Sequence, residues 1–152
     1  FAAGFGESRG MPMSPFDDVS DVSLATDESL LERVRDLVEG AYRQQLWFMF
    51  LDEDDRQLPL LVPLDVPDRP GDEHSDPLGP FVAALVDEVR PRSVVVVLER
   101  PGPDTLTRGD REWFDVVDRA CGAAGVVRRG PILANDDGFR WIAAEDLLGD
   151  VE

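Results

Sequence analysis

A compact, three-layer-like α/β sandwich around a mixed sheet is the fold class that the sequence predicts. Three observations carry this. The run Ser93-Val94-Val95-Val96-Val97-Leu98 contains no charged residue and has the length of a strand buried on both faces. Segments with apolar residues at helical spacing stand on both sides of it in the chain. Two turn signals, Asp52-Glu53-Asp54-Asp55 and Asn135-Asp136-Asp137-Gly138, each separate strand-like runs. Hairpins bring antiparallel pairs, whereas helices placed between strands bring crossovers, so the strand directions are mixed.

The elements follow in order. Residues 1–22 are rich in Gly, Ser, Pro and Asp and read as a flexible tail or an appended segment, with residues 23–152 as one α/β domain. Thr26 is placed to cap a first helix whose apolar positions are Leu30, Leu31, Val34, Leu37, Val38, Ala41 and Tyr42. Residues 46–51 form an aromatic strand. Trp47 and Met49 share one of its faces, and Phe48 and Phe50 share the other, so both faces need cover. The first helix supplies one cover, and the tail or a partner subunit is expected to supply the second, which makes a homodimer an expectation. Residues 57–64 return as a strand that Pro59 and Pro63 confine to an edge. Residues 66–80 read as a Pro/Asp/Gly-rich connection, with Pro80 in the first turn of a helix over 81–90 that Pro91 stops. The central strand is 93–98. A loop over 100–108 leads into a helix marked by Trp113, Phe114, Val117, Ala120, Cys121 and Ala124 and ended by Gly125. Residues 126–127 and 132–134 are two short strand candidates, 139–142 is a returning strand, and 144–148 is a closing helical turn.

Composition narrows the function. The chain has 152 residues, 43% of them hydrophobic, with 15 basic against 32 acidic residues and a formal net charge of -17. Such a surface repels phosphate backbones and argues against nucleic acid as a partner. The single cysteine, Cys121, excludes an internal disulfide and sits in an apolar helical pattern, where it reads as a small buried residue. No stretch is apolar enough to span a bilayer, and residues 1–10 lack the basic head and apolar run of a signal peptide, so a cytoplasmic protein is expected. The chain begins at Phe1 rather than Met, as expected of a fragment or of appended residues. His74, the only histidine, lies beside Asp72, Glu73 and Asp76 in the expected connection, where it reads as an exposed loop residue. The four acidic residues 52–55 lack the alternation and closing Glu of a calcium loop and read as a solvated hairpin tip. A dinucleotide fingerprint is absent.

Several phrases, in this order, resemble the JAB metalloprotease-like domain, in particular its bacterial RadC-like branch. Residues 46–52 resemble the family's first strand with its Leu-Asp step, and 81–89 resemble the helix before the central strand. Residues 94–102 resemble the strand and loop that carry a His-x-His and Pro-Ser-Gly signature. Thr107 and Asp110 match its later Ser and Asp, and 135–142 resemble its closing hairpin. The resemblance implies a JAB/cytidine-deaminase-like fold over roughly residues 30–148. It also implies a zinc site of two His and one Asp, with a Glu that activates the bound water. The two His positions hold Leu98 and Arg100, flanking Glu99. The step from Pro101-Gly102 to Thr107 is one residue shorter than the family pattern. Glu53 lies on the turn, and Asp110 alone keeps a ligating side chain.

The residues therefore give a degenerate site at Leu98, Glu99, Arg100, Thr107 and Asp110, with no catalytic residue, metal or cofactor assigned. Thr107 and Asp110 have capping-box spacing, and this values Asp110 at about 1 kcal/mol of helix-end stabilisation. Arg100 is expected to pair with Glu99, Asp104 or Asp110. The leading expectation is a noncatalytic, JAB-like pseudoenzyme that binds or assembles with protein. The alternative is a divergent metal-dependent hydrolase acting on peptide or isopeptide bonds through Glu99, Asp104, Asp110 and His74. A DNA-processing role follows only from analogy with the RadC-like branch, and the acidic balance opposes it.

Overall fold

The computed structural model describes residues 23–37 and 43–143. The expected tail over 1–22, the last turn of the first helix over 38–42 and the closing turn over 144–148 lie outside them. The elements are α1 (Asp27–Leu37), β1 (Gln45–Leu51), β2 (Gln57–Asp65), α2 (Asp72–Val89), β3 (Ser93–Glu99), α3 (Arg108–Ala124), β4 (Val127–Asn135) and β5 (Gly138–Trp141). The sheet order is β2-β1-β3-β4-β5. Only β3 and β4 run parallel; β1 with β2, β1 with β3, and β4 with β5 are antiparallel. The mixed sheet that the hairpins and crossovers predict is thus observed, and β2, with its two prolines, is an edge.

The central strand is buried at every position from Ser93 to Glu99. Its alternation divides two cores. Val94, Val96 and Leu98 join Phe48, Phe50 and the buried faces of α2 and α3. Val95 and Val97 join Met49, Leu51, Leu61 and the α1 residues Leu30 and Val34, with Trp47 packed against them. The sheet therefore lies between α1 on one side and α2 with α3 on the other. This corrects the expected cover of β1: its Phe48/Phe50 face is closed by α2 and α3 of the same chain. That face consequently calls for neither the tail nor a second subunit.

Thr26 caps α1 as expected, its Oγ1 accepting from Ser29 N at 3.1 Å. The connection over 66–80 is corrected, because α2 begins at Asp72 and carries Pro77 and Pro80 in its interior. Each proline removes a backbone donor and disfavours a continuing helix. Leu78, Val82 and Leu85 nevertheless form one buried stripe against the sheet, and the acidic Asp72 and Glu73 favour the helix start. His74 accordingly stands in the first turn of a helix rather than on a loop. The two short strands expected after Gly125 are one strand, β4. Its pairing with β3 is interrupted between Val95 and Val97, where Gly130-Pro131 breaks the apolar pattern that sequence reading relies on.

Candidate functional site

Two elements meet at the site. Because β3 alternates, Leu98 and Arg100 project toward α3, whereas Glu99 projects to the α1 side. The loop after β3 then delivers Thr107, whose Oγ1 accepts from Asp110 N at 3.0 Å, while Asp110 Oδ2 accepts from Thr107 N at 3.0 Å. This reciprocal cap is the one that the Thr107/Asp110 spacing predicts. It brings the Asp110 carboxylate to the end of β3, opposite Arg100.

Arg100 and Asp110 form a buried, forked ion pair. Arg100 Nε donates to Asp110 Oδ1 at 3.0 Å and to Oδ2 at 3.2 Å, and Nη2 donates to Oδ2 at 2.7 Å. The two side chains are 6% and 3% exposed, so little solvent screens the pair. The rest of the guanidinium faces main chain. Nη1 donates to the carbonyls of Pro101 and Pro103 at 3.1 and 2.6 Å, and Nη2 to that of Thr105 at 3.1 Å. Every N–H of the guanidinium therefore has an acceptor. Of the three partners expected for Arg100, the structure selects Asp110. Glu99 lies across the sheet, where it accepts from Trp47 Nε1 at 2.9 Å and from Arg43 N at 3.4 Å. Asp104 offers its carbonyl to Arg140 Nη1 at 2.7 Å.

The loop is stitched to the β4–β5 turn as well. Gly102 N donates to Asp136 Oδ2 at 2.9 Å, Asp136 N to the Gly102 carbonyl at 2.8 Å, and Asp104 N to Asp137 Oδ2 at 3.2 Å. On its other side lies a cleft of about 540 Å³ between Gln44, Asp68, Arg69, Arg100, Thr107 and Asp110. Its far wall is fixed to α3. Trp113 Nε1 donates to the Pro67 carbonyl at 2.9 Å, and a Cβ at Gly109 would overlap the Asp68 carbonyl oxygen, so only glycine permits this approach. Arg69 forks onto Glu112 at 2.9 and 2.7 Å. The hydrogen bond from Arg69 holds the Glu112 carboxyl below its usual range.

No protein-family model matches the chain, and no curated protein is a significant match. The chemistry of the site therefore rests on its own residues. Zinc does not fit them. Leu98 has no ligating atom, the Arg100 guanidinium repels a cation, and both Asp110 oxygens already accept hydrogen bonds. Among the described residues, no group of three or more His, Cys, Asp and Glu side chains converges as a metal site.

The remaining candidates are dispersed. Glu53 is exposed on the β1–β2 turn. His74 Nδ1 accepts from Gly71 N at 3.4 Å at the start of α2, and the ring meets Trp113 edge-on at 6.3 Å. Cys121 is buried in α3, and burial pushes its thiol up to about 11. Sequence reading missed two features here: the three carbonyls that Arg100 gathers and the Trp47–Glu99 bond. Neither has a local signal: the carbonyls are set by the path of the loop over 101–105, and the Trp47–Glu99 bond by where the chain returns in space.

Proposed function

We propose that the chain is a noncatalytic module, a degenerate JAB-like domain of the RadC-like branch, whose work is binding to or assembling with protein. The observation that carries this reading is the engagement of both Asp110 oxygens. They already accept from a forked guanidinium and a backbone N–H, and a metal ion bound there would face the Arg100 cation. The mixed sheet with helices on both faces is compatible with the JAB/cytidine-deaminase-like fold. Fold alone would not assign an activity in any case.

Protein is the partner class proposed, either a second copy or another chain. The acidic balance opposes nucleic acid, and no helix among the described residues is long and apolar enough to cross a membrane. Val127 is the one large hydrophobic side chain exposed among the described residues, so recognition would proceed through polar and charged contacts.

Calorimetric titration of zinc into protein purified without chelator tests the reading. The expected result is no saturable binding. One zinc per chain, abolished by Asp110→Ala in a variant that remains folded, would replace it with the divergent hydrolase.

A further inference from the structure

The α1 side of the sheet leaves polar groups unmatched. Leu51 is the register partner of Gln57 on β2 and of Ser93 on β3, so the three stand in a row across one end of that face. Gln57 is 2% exposed and Ser93 is 3% exposed. Gln57 Oε1, Gln57 Nε2 and Ser93 Oγ have no hydrogen-bond partner among the described residues. A buried amide in that condition is costly, because folding has stripped its hydration without replacement.

The ladder is also broken here. Met49 pairs with Leu61 while Leu51 pairs with Gln57, so residues 58–60 of β2 stand opposite the single residue Phe50 as a bulge. Residues 23–26 cross the same end of the sheet. Leu24 N donates to the Asp55 carbonyl at 2.7 Å, and Arg129 Nη1 donates to the Leu24 carbonyl at 2.6 Å. The strap is thus tied to the β1–β2 turn, two residues before Gln57, and to β4, the strand next to that of Ser93.

We infer that the Gln57–Leu51–Ser93 row, beside the β2 bulge and beneath the Leu24 strap, is a binding site for ordered internal water. The ligand class follows from the orphaned atoms. They comprise an amide donor, an amide acceptor and a hydroxyl, none of them charged, and water can donate to Oε1 while accepting from Nε2 or from the hydroxyl. An ion would find no opposite charge among these three groups.

A high-resolution crystal structure of the wild-type chain, with thermal unfolding of Gln57→Leu beside it, tests this. The expected map shows ordered water within hydrogen-bond distance of the Gln57 amide and of Ser93 Oγ. The expected variant melts at or below the wild-type temperature, because a satisfied amide and its water leave together. A dry row, or side chains turned onto protein partners, would overturn the inference. So would a rise in Tm of about 3 °C or more in Gln57→Leu, since that is the relief given by removing an unsatisfied group. Should the variant fail to fold, the wild-type map decides alone.

Discussion

Replacing Asp110 by Ala removes the carboxylate that faces the Arg100 guanidinium at 2.7 Å. Capping alone would make this a loss of about 1 kcal/mol. Burial changes the magnitude. With the two side chains 6% and 3% exposed, the guanidinium is left as a charge largely withheld from solvent. Breaking one partner out of such a pair costs about 3–5 kcal/mol, most of it the penalty of an uncompensated buried charge. That is a large part of the roughly 5–15 kcal/mol that holds a typical domain folded. Removing both charges, as in Arg100→Met with Asp110→Ala, should therefore cost less than the sum of the single losses, with a coupling of about 2–3 kcal/mol. Urea unfolding at pH 7, followed by the fluorescence of Trp47, Trp113 and Trp141, measures all three variants. A loss of about 1 kcal/mol or less for Asp110→Ala, or additivity in the double variant, would refute the claim that the pair acts as a buried unit.

Other outcomes follow from neighbouring features. Gly109→Ala forces a methyl group into the Asp68 carbonyl and should lower stability by about 1–3 kcal/mol; an unchanged urea midpoint would contradict that contact. The Cys121 thiol, raised to about 11 by burial, should react with a maleimide far more slowly in the native chain at pH 8 than in urea. Because its folded value lies above the unfolded one, the stabilisation it contributes is present at neutral pH. It is lost as pH rises from the unfolded value, about 8.5, through about 11, which unfolding midpoints across that window would record. Leu98→His with Arg100→His places two imidazoles toward α3 but deletes the guanidinium that holds the loop. Calorimetry should show weak zinc binding at best, and tight binding at one zinc per chain would mean that the loop keeps its shape without Arg100.

The parts of the fold legible in the sequence are those governed by local rules. Residues 93–98 declare a buried strand because an unbroken apolar run of that length has few other solutions. Thr107 and Asp110 declare a cap because three residues of spacing fix both hydrogen bonds. Pro59 and Pro63 place β2 at an edge through their missing donors. Where tertiary packing overrides a local rule, the reading fails. Pro77 and Pro80 argue against a helix, yet the stripe of Leu78, Val82 and Leu85 holds one in place around them. Gly130-Pro131 divides a strand that β3 keeps continuous by pairing on either side of the break. At the site, Arg100 is recognisable as a charged residue at a strand end. Its preference for Asp110 over Glu99 depends on strand parity, and its hold on the carbonyls of Pro101, Pro103 and Thr105 depends on a loop path that no spacing encodes.

The stitching of that loop has a consequence for where the chain can breathe. Segments that follow a strand end are ordinarily among the first to open, and many proteins place their moving parts there. Here the main chain over 100–105 is bound to a buried side chain behind it and to the β4–β5 turn beside it. The Arg100 N–H also donates to the Ala134 carbonyl at 3.0 Å. Opening the loop would mean exposing Arg100 and releasing the start of α3 together. The bonded amides of this loop should therefore exchange with deuterium at nearly the rate of the central strand, as part of one cooperative unit. Local opening would instead be left to segments held by fewer bonds.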